Sequence, residues 1–206
     1  MMLLLEFLLH RSTIWLLYKM EKEMEMEDCD REPISGGSHT APETRSLLAL
    51  IALLTGSRDV LETGYDAGGT TEILCMTGAN VTAIDNLSEY PEVNERAKKK
   101  LSGYDNCTLI EGDALEFLRS AHDESYDLVF IDDKHDLLHV AEEAKELHRV
   151  LRPGGVATFH DTKFHGIWHV MQSVFPKWNK MEFVSMSPIL NVDLGFGIAI
   201  KPKVLP

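Results

Sequence analysis

Cysteine is scarce in this chain: three residues, Cys29, Cys75 and Cys107, in 206. An odd number at unrelated spacings builds neither a disulfide framework nor a paired metal knuckle. Cys75 also falls in a segment that reads as a buried helix, so a reducing cytoplasm is the expected compartment. Basic charge is short as well. Against 33 Asp and Glu stand 20 Lys and Arg, giving a formal charge of -13 and a pI near 5.1. Nucleic acid and anionic membrane surfaces both need clustered cations, so no nucleic-acid partner is expected. An unbroken apolar run is missing too. Residues 1–20 are rich in Leu, Ile and Trp, but Glu6, His10 and Arg11 interrupt them. No basic residue precedes the run and no small-residue cleavage site follows, so neither a membrane span nor a signal peptide is expected.

What is present suits one well-buried domain and is too short for two of ordinary size: 206 residues, 44% hydrophobic. The expected division is 1–39 as an N-terminal helix and linker and 40–206 as the domain. Residues 1–20 read as an amphipathic helix that packs on the domain or on a second copy, making a homodimer, with a membrane anchor as the weaker alternative. Residues 21–39, acidic and then Pro/Gly/Ser-containing, read as a linker.

From Thr40 onward strands and helices alternate, which predicts an α/β fold with a parallel sheet and helices on both faces. Thr40 with Glu43 has a capping-box pattern ahead of Leu47, Leu48, Leu50, Ile51 and Leu54, and Gly56 stops that helix. Strands are expected near 58–63, 81–85, 108–111, 126–132 and 156–159. A helix carrying Val140, Ala144 and Leu147 stops at Arg152-Pro153-Gly154-Gly155, and a short helix covers roughly 165–175. The segments 181–186 and 195–200 close the sheet as an antiparallel pair, because only a loop containing Pro188 joins them.

The stretch Val60-Leu61-Glu62-Thr63-Gly64-Tyr65-Asp66-Ala67-Gly68-Gly69-Thr70 reads as a buried strand, a glycine-rich turn and a helix start. Such a turn lets a nucleotide-like ligand approach the backbone and the free N–H groups of the helix. The middle position of the dinucleotide fingerprint, however, carries Asp66. A carboxylate there repels a diphosphate and disfavours NAD and FAD, whereas S-adenosylmethionine (SAM), with a cationic amino-acid end, meets no such objection.

Doubly wound sheets bind ligands beyond the carboxyl ends of their strands, and here nearly every strand ends in an acid. Glu62, Asp85, Asp113, Asp132 with Asp133, and His160-Asp161 occupy those ends in turn. Asp85 stands about 20 residues past the glycine turn, where a carboxylate accepts ribose hydroxyls; a plain turn aspartate is the alternative. Asp113 is either an adenine contact or, with Glu116, a helix cap.

Glu62-Thr63-Gly64, Ala83-Ile84-Asp85, Glu111-Gly112-Asp113-Ala114 and Leu151-Arg152-Pro153-Gly154-Gly155 together resemble the successive motifs of class I SAM-dependent methyltransferases, over about residues 40–201. Phe130-Ile131-Asp132-Asp133-Lys134-His135 and Phe159-His160-Asp161 look most like small-molecule O-methyltransferases of the catechol and cephalosporin-hydroxylase-like kinds. The resemblance implies a Rossmann-like, doubly wound, mostly parallel seven-stranded sheet with a C-terminal antiparallel strand. It places SAM against Gly64, Tyr65, Gly68, Asp85, Asp113, Ala114 and Asp132, with Glu62 toward the methionine ammonium. Asp66 departs from the glycine usual at its position.

Many enzymes of that kind use a divalent metal. Neighbouring strand ends lie about 4.8 Å apart, so Asp132, His160 and Asp161 can converge on one ion. Mg, Mn or Fe are the candidates, the imidazole favouring Mn or Fe; hydrogen bonding of these residues to loop amides is the alternative. Six of the nine histidines, at 135, 139, 148, 160, 165 and 169, crowd this part of the chain. His135-His139 and His165-His169 have helical spacing, but no glutamate follows the first of either pair, which excludes a zinc-protease motif. His135 is the candidate general base and Lys134 the second candidate; surface or packing roles are the alternatives. Phe164, Trp168, Phe175 and Trp178 make either an aromatic substrate wall or ordinary core. The expected activity is SAM-dependent methyl transfer to oxygen of a small hydroxylated molecule. The alternatives are a SAM-binding interaction protein without turnover and, more weakly, a nicotinamide-dependent oxidoreductase.

Overall fold

The computed structural model describes residues 40–87, 90–163, 166–186 and 192–203. The expected N-terminal helix, its linker and its role in self-association lie outside the described residues, as do Cys29, Phe164, His165 and Pro188.

Helix α1 (Pro42–Thr55) starts without a side-chain cap, with Ala41 at the N-cap and a proline in its first turn. Proline needs no N–H partner there, so the capping box expected from Thr40 is not required. The Thr40 hydroxyl instead donates to Asp132 Oδ2 at 2.9 Å, across 92 residues of sequence. The chain then runs β1 (Asp59–Thr63), α2 (Gly69–Met76), β2 (Asn80–Asp85), α3 (Pro91–Leu101), β3 (Cys107–Glu111), α4 (Ala114–Ser120), β4 (Tyr126–Ile131) and α5 (Leu137–Val150). It ends with β5 (Leu151–His160), α6 (Ile167–Val174), β6 (Asn179–Phe183) and β7 (Phe196–Ile200).

One boundary differs from the sequence reading. Arg152-Pro153-Gly154-Gly155 is not a gap between helix and strand, since β5 begins at Leu151 directly after α5. Leu151 pairs with Tyr126 and Val156 with Leu128, so the register shifts between them and the intervening residues bulge. A bulge accommodates Pro153, which has no N–H for the ladder. Arg152 in the same bulge pairs with Asp59 and Asp127, each at 2.9 Å.

The strands form one seven-stranded sheet in the order β3-β2-β1-β4-β5-β7-β6, with β7 antiparallel to both neighbours. The expected Rossmann-like arrangement is therefore present. Alternation along the central strands divides the core between two faces. Val60, Leu128, Phe130 and Val156 pack with Leu48 and Ala52 of α1 and Leu74 of α2. Leu61, Val129, Ile131 and Phe159 pack with Leu118 of α4, Val140, Ala144 and Leu147 of α5, and Met171 of α6. Phe175 and Trp178 belong to this second cluster, stacked with centroids 4.3 Å apart, so they are core and not a substrate wall.

Strand order reverses at β1, whose neighbours are β2 and β4. Thr63 pairs with Ile84 on one side and Ile131 on the other, and Asp85 pairs with Glu111, so the carboxyl ends of the first four strands stop level. The acids that terminate them are thereby gathered along one edge, at the topological switch point where such sheets bind ligands. Among the described residues, no helix is long and apolar enough to cross a membrane.

Candidate active site

The turn after β1 is set by contact with β4. Gly64 has φ +81, and a Cβ placed there would lie 2.2 Å from the carbonyl oxygen of Asp132. No other residue fits that approach. Gly64 N–H donates to Ile84 O at 2.8 Å and Asp132 N–H donates to Thr63 O at 2.9 Å, extending the ladder into the loops. Asp66 follows in the left-handed region, φ 44. Aspartate is one of the few non-glycine residues that visits this region, which accounts for its presence where the fingerprint has glycine. Its N–H donates to Asp85 Oδ2 at 2.8 Å, locking the turn to the end of β2.

Two of the expected ligand contacts have their side chains indoors. Tyr65 is 3% exposed, its hydroxyl donates to Asn94 Oδ1 at 3.1 Å, and burial, with Asp85 and Glu111 nearby, pushes the phenol up to about 12. Its backbone remains part of the turn: Tyr65 O accepts from Gly68 N–H at 2.7 Å. Glu62 is 1% exposed and accepts the Thr71 hydroxyl at 2.6 Å, so its carboxyl is turned into the protein near the end of β1. Burial pushes its carboxyl up to about 8, opposed by Thr71 and by the charge of buried Arg45. Arg45 packs its guanidinium on Gly69 at the start of α2, where a Cβ would lie 2.9 Å from Nη1. Nothing in the local sequence around Arg45 marks this role.

A cavity of about 270 Å³ opens beyond the ends of β2, β3 and β4. Asp85, Asp113 and Ala114 line it as expected, together with Asn86, Tyr90, Gly112, Asp133 and Lys134. Burial raises the Asp85 carboxyl, against the lowering effect of the Asp66 amide. Asp113 plays both roles open to it, lining the cavity and capping α4 by accepting Glu116 N–H at 3.0 Å. That amide, then Lys134, holds its carboxyl below the ordinary range. Lys134 Nζ pairs with Asp113 Oδ2 at 3.3 Å, so the second candidate base sits on the cavity side, committed to an acid.

Beside the cavity lies the second grouping. His160 Nδ1 is 3.1 Å from Asp132 Oδ1 and 3.0 Å from Asp161 Oδ1, while His135 Nε2 is 2.7 Å from Asp161 Oδ2 and 3.9 Å from Asp132 Oδ1. The three expected metal residues are thus brought together with the expected base. Neither ring nitrogen of His160 nor Asp161 Oδ1 makes an aligned hydrogen bond, although all are buried. Burial opposes a charge on His160, but Asp132 and then Asp161 hold its imidazole up at about 10. Burial likewise acts to raise Asp161, yet His135 and His160 hold it well below the carboxylate range. His135 is raised chiefly by its contact with Asp161. Asp161 itself is left-handed, φ 52. Asp132, His135 and His160 each bring one donor atom within 4.8 Å of the other two, a spacing that one divalent cation can span.

Residues 61–162, from β1 through the His160-Asp161 pair, match the family model described as a methyltransferase domain. Over that half of its length the chain is similar to methyltransferases. The chain also aligns with a Mycolicibacterium vanbaalenii protein named "Putative O-methyltransferase", 35% identical over 64% of this chain and 59% of that protein. A Mycobacterium avium protein of the same name is 34% identical over 64% of this chain and 60% of that one. The chain therefore spans about three fifths of the length of the curated relatives it matches. Among solved structures, a Bacillus cereus O-methyltransferase in complex with SAH shares the fold at TM-score 0.68 and 16% identity, over 90% of each chain. The Streptomyces achromogenes O-methyltransferase TomG, solved with SAM, does so at TM-score 0.66 and 18% identity, over 91% of this chain and 89% of that one. The class I resemblance read from the motifs is borne out.

The other singled-out histidines go elsewhere. His148 Nε2 contacts Val174 O at 2.9 Å and packs on Trp178. His139 meets Asp133, not the Asp132 cluster. Asp133, Gly112, Tyr90 and Asn86 were the cavity residues not singled out; the doubled acid at 132–133 and the Glu111-Gly112-Asp113 motif signalled two of them.

The raised carboxyl of Glu62 has a consequence for stability. Its folded value of about 8 exceeds the ordinary 4.5, so its protonated form favours the fold below 4.5 and that contribution is lost as pH rises toward 8. Glu62→Gln is expected to flatten the fall in stability across that window by a few kcal/mol, read by urea denaturation at each pH. An unchanged slope would remove Glu62 as its source.

Proposed function

We propose that residues 40–206 form a SAM-dependent methyltransferase domain that methylates oxygen of a small hydroxylated molecule. The observation that carries the reading is the adjacency of two sites along one sheet edge: the Asp85-Asp113 cavity and the Asp132-His135-His160-Asp161 cluster. The names and bound ligands of the relatives and structural neighbours support it. On this reading Asp85 accepts the ribose hydroxyls, Asp113 and Ala114 border the adenine, and the backbone of Gly64, Tyr65 and Gly68 meets the methionine part. Glu62 acts from beneath, holding Thr71 and the start of α2, and reaches the ammonium only through that support.

The sulfonium is already an activated donor, so the protein mainly supplies in-line alignment. The substrate oxygen attacks the methyl carbon, the S–CH3 bond breaks, and S-adenosylhomocysteine leaves. His135 takes the hydroxyl proton, and Asp161, 2.7 Å from its Nε2, orients the ring and stabilises the imidazolium. The cluster also fits a divalent cation of the Mg, Mn or Fe class, because buried donors of His160 and Asp161 have no aligned partner. Asp132, His160 and Asp161 would hold it, and it would supply Lewis-acid charge beside the substrate hydroxyl. Lys134, paired with Asp113, serves the cofactor side. A cytoplasmic location and a homodimer built through residues 1–20 complete the proposal.

Calorimetry is expected to show SAM binding and no comparable NAD binding, and Asp85→Ala to weaken SAM by about 1–3 kcal/mol, as when buried hydroxyls lose a charged acceptor. NAD binding tighter than SAM, or an unchanged Asp85→Ala, refutes the cofactor assignment. Chelation with EDTA is expected to stop methyl transfer to a test phenol while SAM still binds, with His160→Gln behaving alike. Full-rate turnover by a metal-free preparation would assign the cluster to hydrogen bonding alone. Deleting residues 1–20 is expected to preserve SAM binding and halve the mass seen by light scattering; an unchanged oligomeric mass contradicts the dimer role.

A further inference from the structure

We propose that Asp133, His139 and Glu143 form a second divalent-cation site, separate from the Asp132 cluster, which takes a first-row transition ion of the zinc or manganese class. The site is built by the start of α5. Asp136 caps that helix by accepting Leu138 N–H at 3.1 Å and His139 N–H at 3.0 Å, which sets where the first turn points. His139 and Glu143, four residues apart, then share one helical face. That face meets the loop leaving β4, where Asp133 follows the sheet-end residue Asp132.

His139 Nε2 lies 3.0 Å from Asp133 Oδ2 and 3.8 Å from Glu143 Oε2. One donor atom from each residue lies within 4.8 Å of the other two. Ligand atoms about 2.0–2.2 Å from a tetrahedral ion are roughly 3.3–3.6 Å apart, so small side-chain rotations close the set on one centre. An imidazole with two carboxylates suits zinc, manganese or iron better than magnesium or calcium, which favour oxygen donors throughout.

A second observation points to an occupant. Glu143 has a side-chain exposure of 0%, and although Asp133 and the Thr63 hydroxyl lie against its carboxyl, neither Glu143 oxygen, nor Asp133 Oδ1, nor the Thr63 hydroxyl makes an aligned hydrogen bond. Among the described residues, Asp133 and Glu143 meet no lysine or arginine, and His139 is shared between them. A buried carboxylate left in this state costs several kcal/mol unless a cation or a proton occupies the site. The proton is the competing occupant. An ion would do more, binding the β4 exit loop to α5 at the wall of the cofactor cavity, which Asp133 lines.

The two clusters are separable by mutation. The full chain would be stripped with EDTA, dialysed and titrated with zinc and manganese(II), with bound metal counted by mass spectrometry and the thermal midpoint followed. His160→Gln is expected to keep one tightly bound equivalent and the rise in midpoint that it brings. Glu143→Gln, which preserves shape and removes the charge, is expected to lose that equivalent and that rise. Its affinity should fall by more than the 10–100-fold that loss of an outer-shell partner brings. Circular dichroism checks that the variant folds, and His139→Ala replaces it if it does not, with the same expectation. A Glu143→Gln protein that binds as much metal as wild type overturns the proposal, as does a wild type whose midpoint ignores both metals; the cluster then shares a proton. Loss of metal in His160→Gln alone would instead leave the Asp132 site standing and remove this one.

Discussion

The close approach of Gly64 to the peptide joining Asp132 and Asp133 is the constraint on which the rest of the edge depends. A Cβ at Gly64 would meet Asp132 O at 2.2 Å and Asp133 Cα at 2.6 Å, so the turn after β1 and the exit from β4 are pressed against each other. That contact lies at the switch point of the sheet. It sets the glycine turn on one side and three consecutive polar residues, Asp132, Asp133 and Lys134, on the other. Because the peptide there is held, its side chains diverge in a fixed way: Asp132 to His160, Asp133 to His139, and Lys134 to Asp113.

Gathering so many acids on one edge is electrostatically unfavourable for a chain of charge -13, and the structure answers each locally. Backbone amides serve Asp85 and Asp113, a hydroxyl serves Glu62, and imidazoles serve Asp161 and Asp133. Thr40 gives its hydroxyl to Asp132 from before α1, tying the first described residue to the centre of the site. Groups left incompletely answered, Glu143 and His160 above all, are where a bound proton or cation has most to contribute.

Much of this was legible along the chain. The strand-turn-helix at 60–70, the acid ending each strand and the antiparallel closing pair all follow from local patterns, because period-2 and period-3.6 burial is written residue by residue. Gly56 and Asp113 cap their helices as their local sequence suggests. What misled was local chemistry with a tertiary competitor. Thr40 has the spacing of a helix cap but donates its hydroxyl to Asp132, and Arg152-Pro153-Gly154-Gly155 has the composition of a break but sits in a bulged strand held by two aspartates. The aromatic residues after β5 could not be told from core by spacing, since wall and core share the same helical period.

By itself the sequence determined the fold class, the order of the strands' terminal residues and the family resemblance, because each is encoded in short segments whose meaning does not depend on distant neighbours. Only the tertiary structure decided which of those residues meet. Glu62 turned inward to Thr71, Asp66 proved to be the left-handed residue that locks Asp85, and adjacent aspartates at 132 and 133 went to different histidines. Burial and pairing across the sheet are properties of strands brought together from far apart, and a side chain's partner is settled there, not by its own segment.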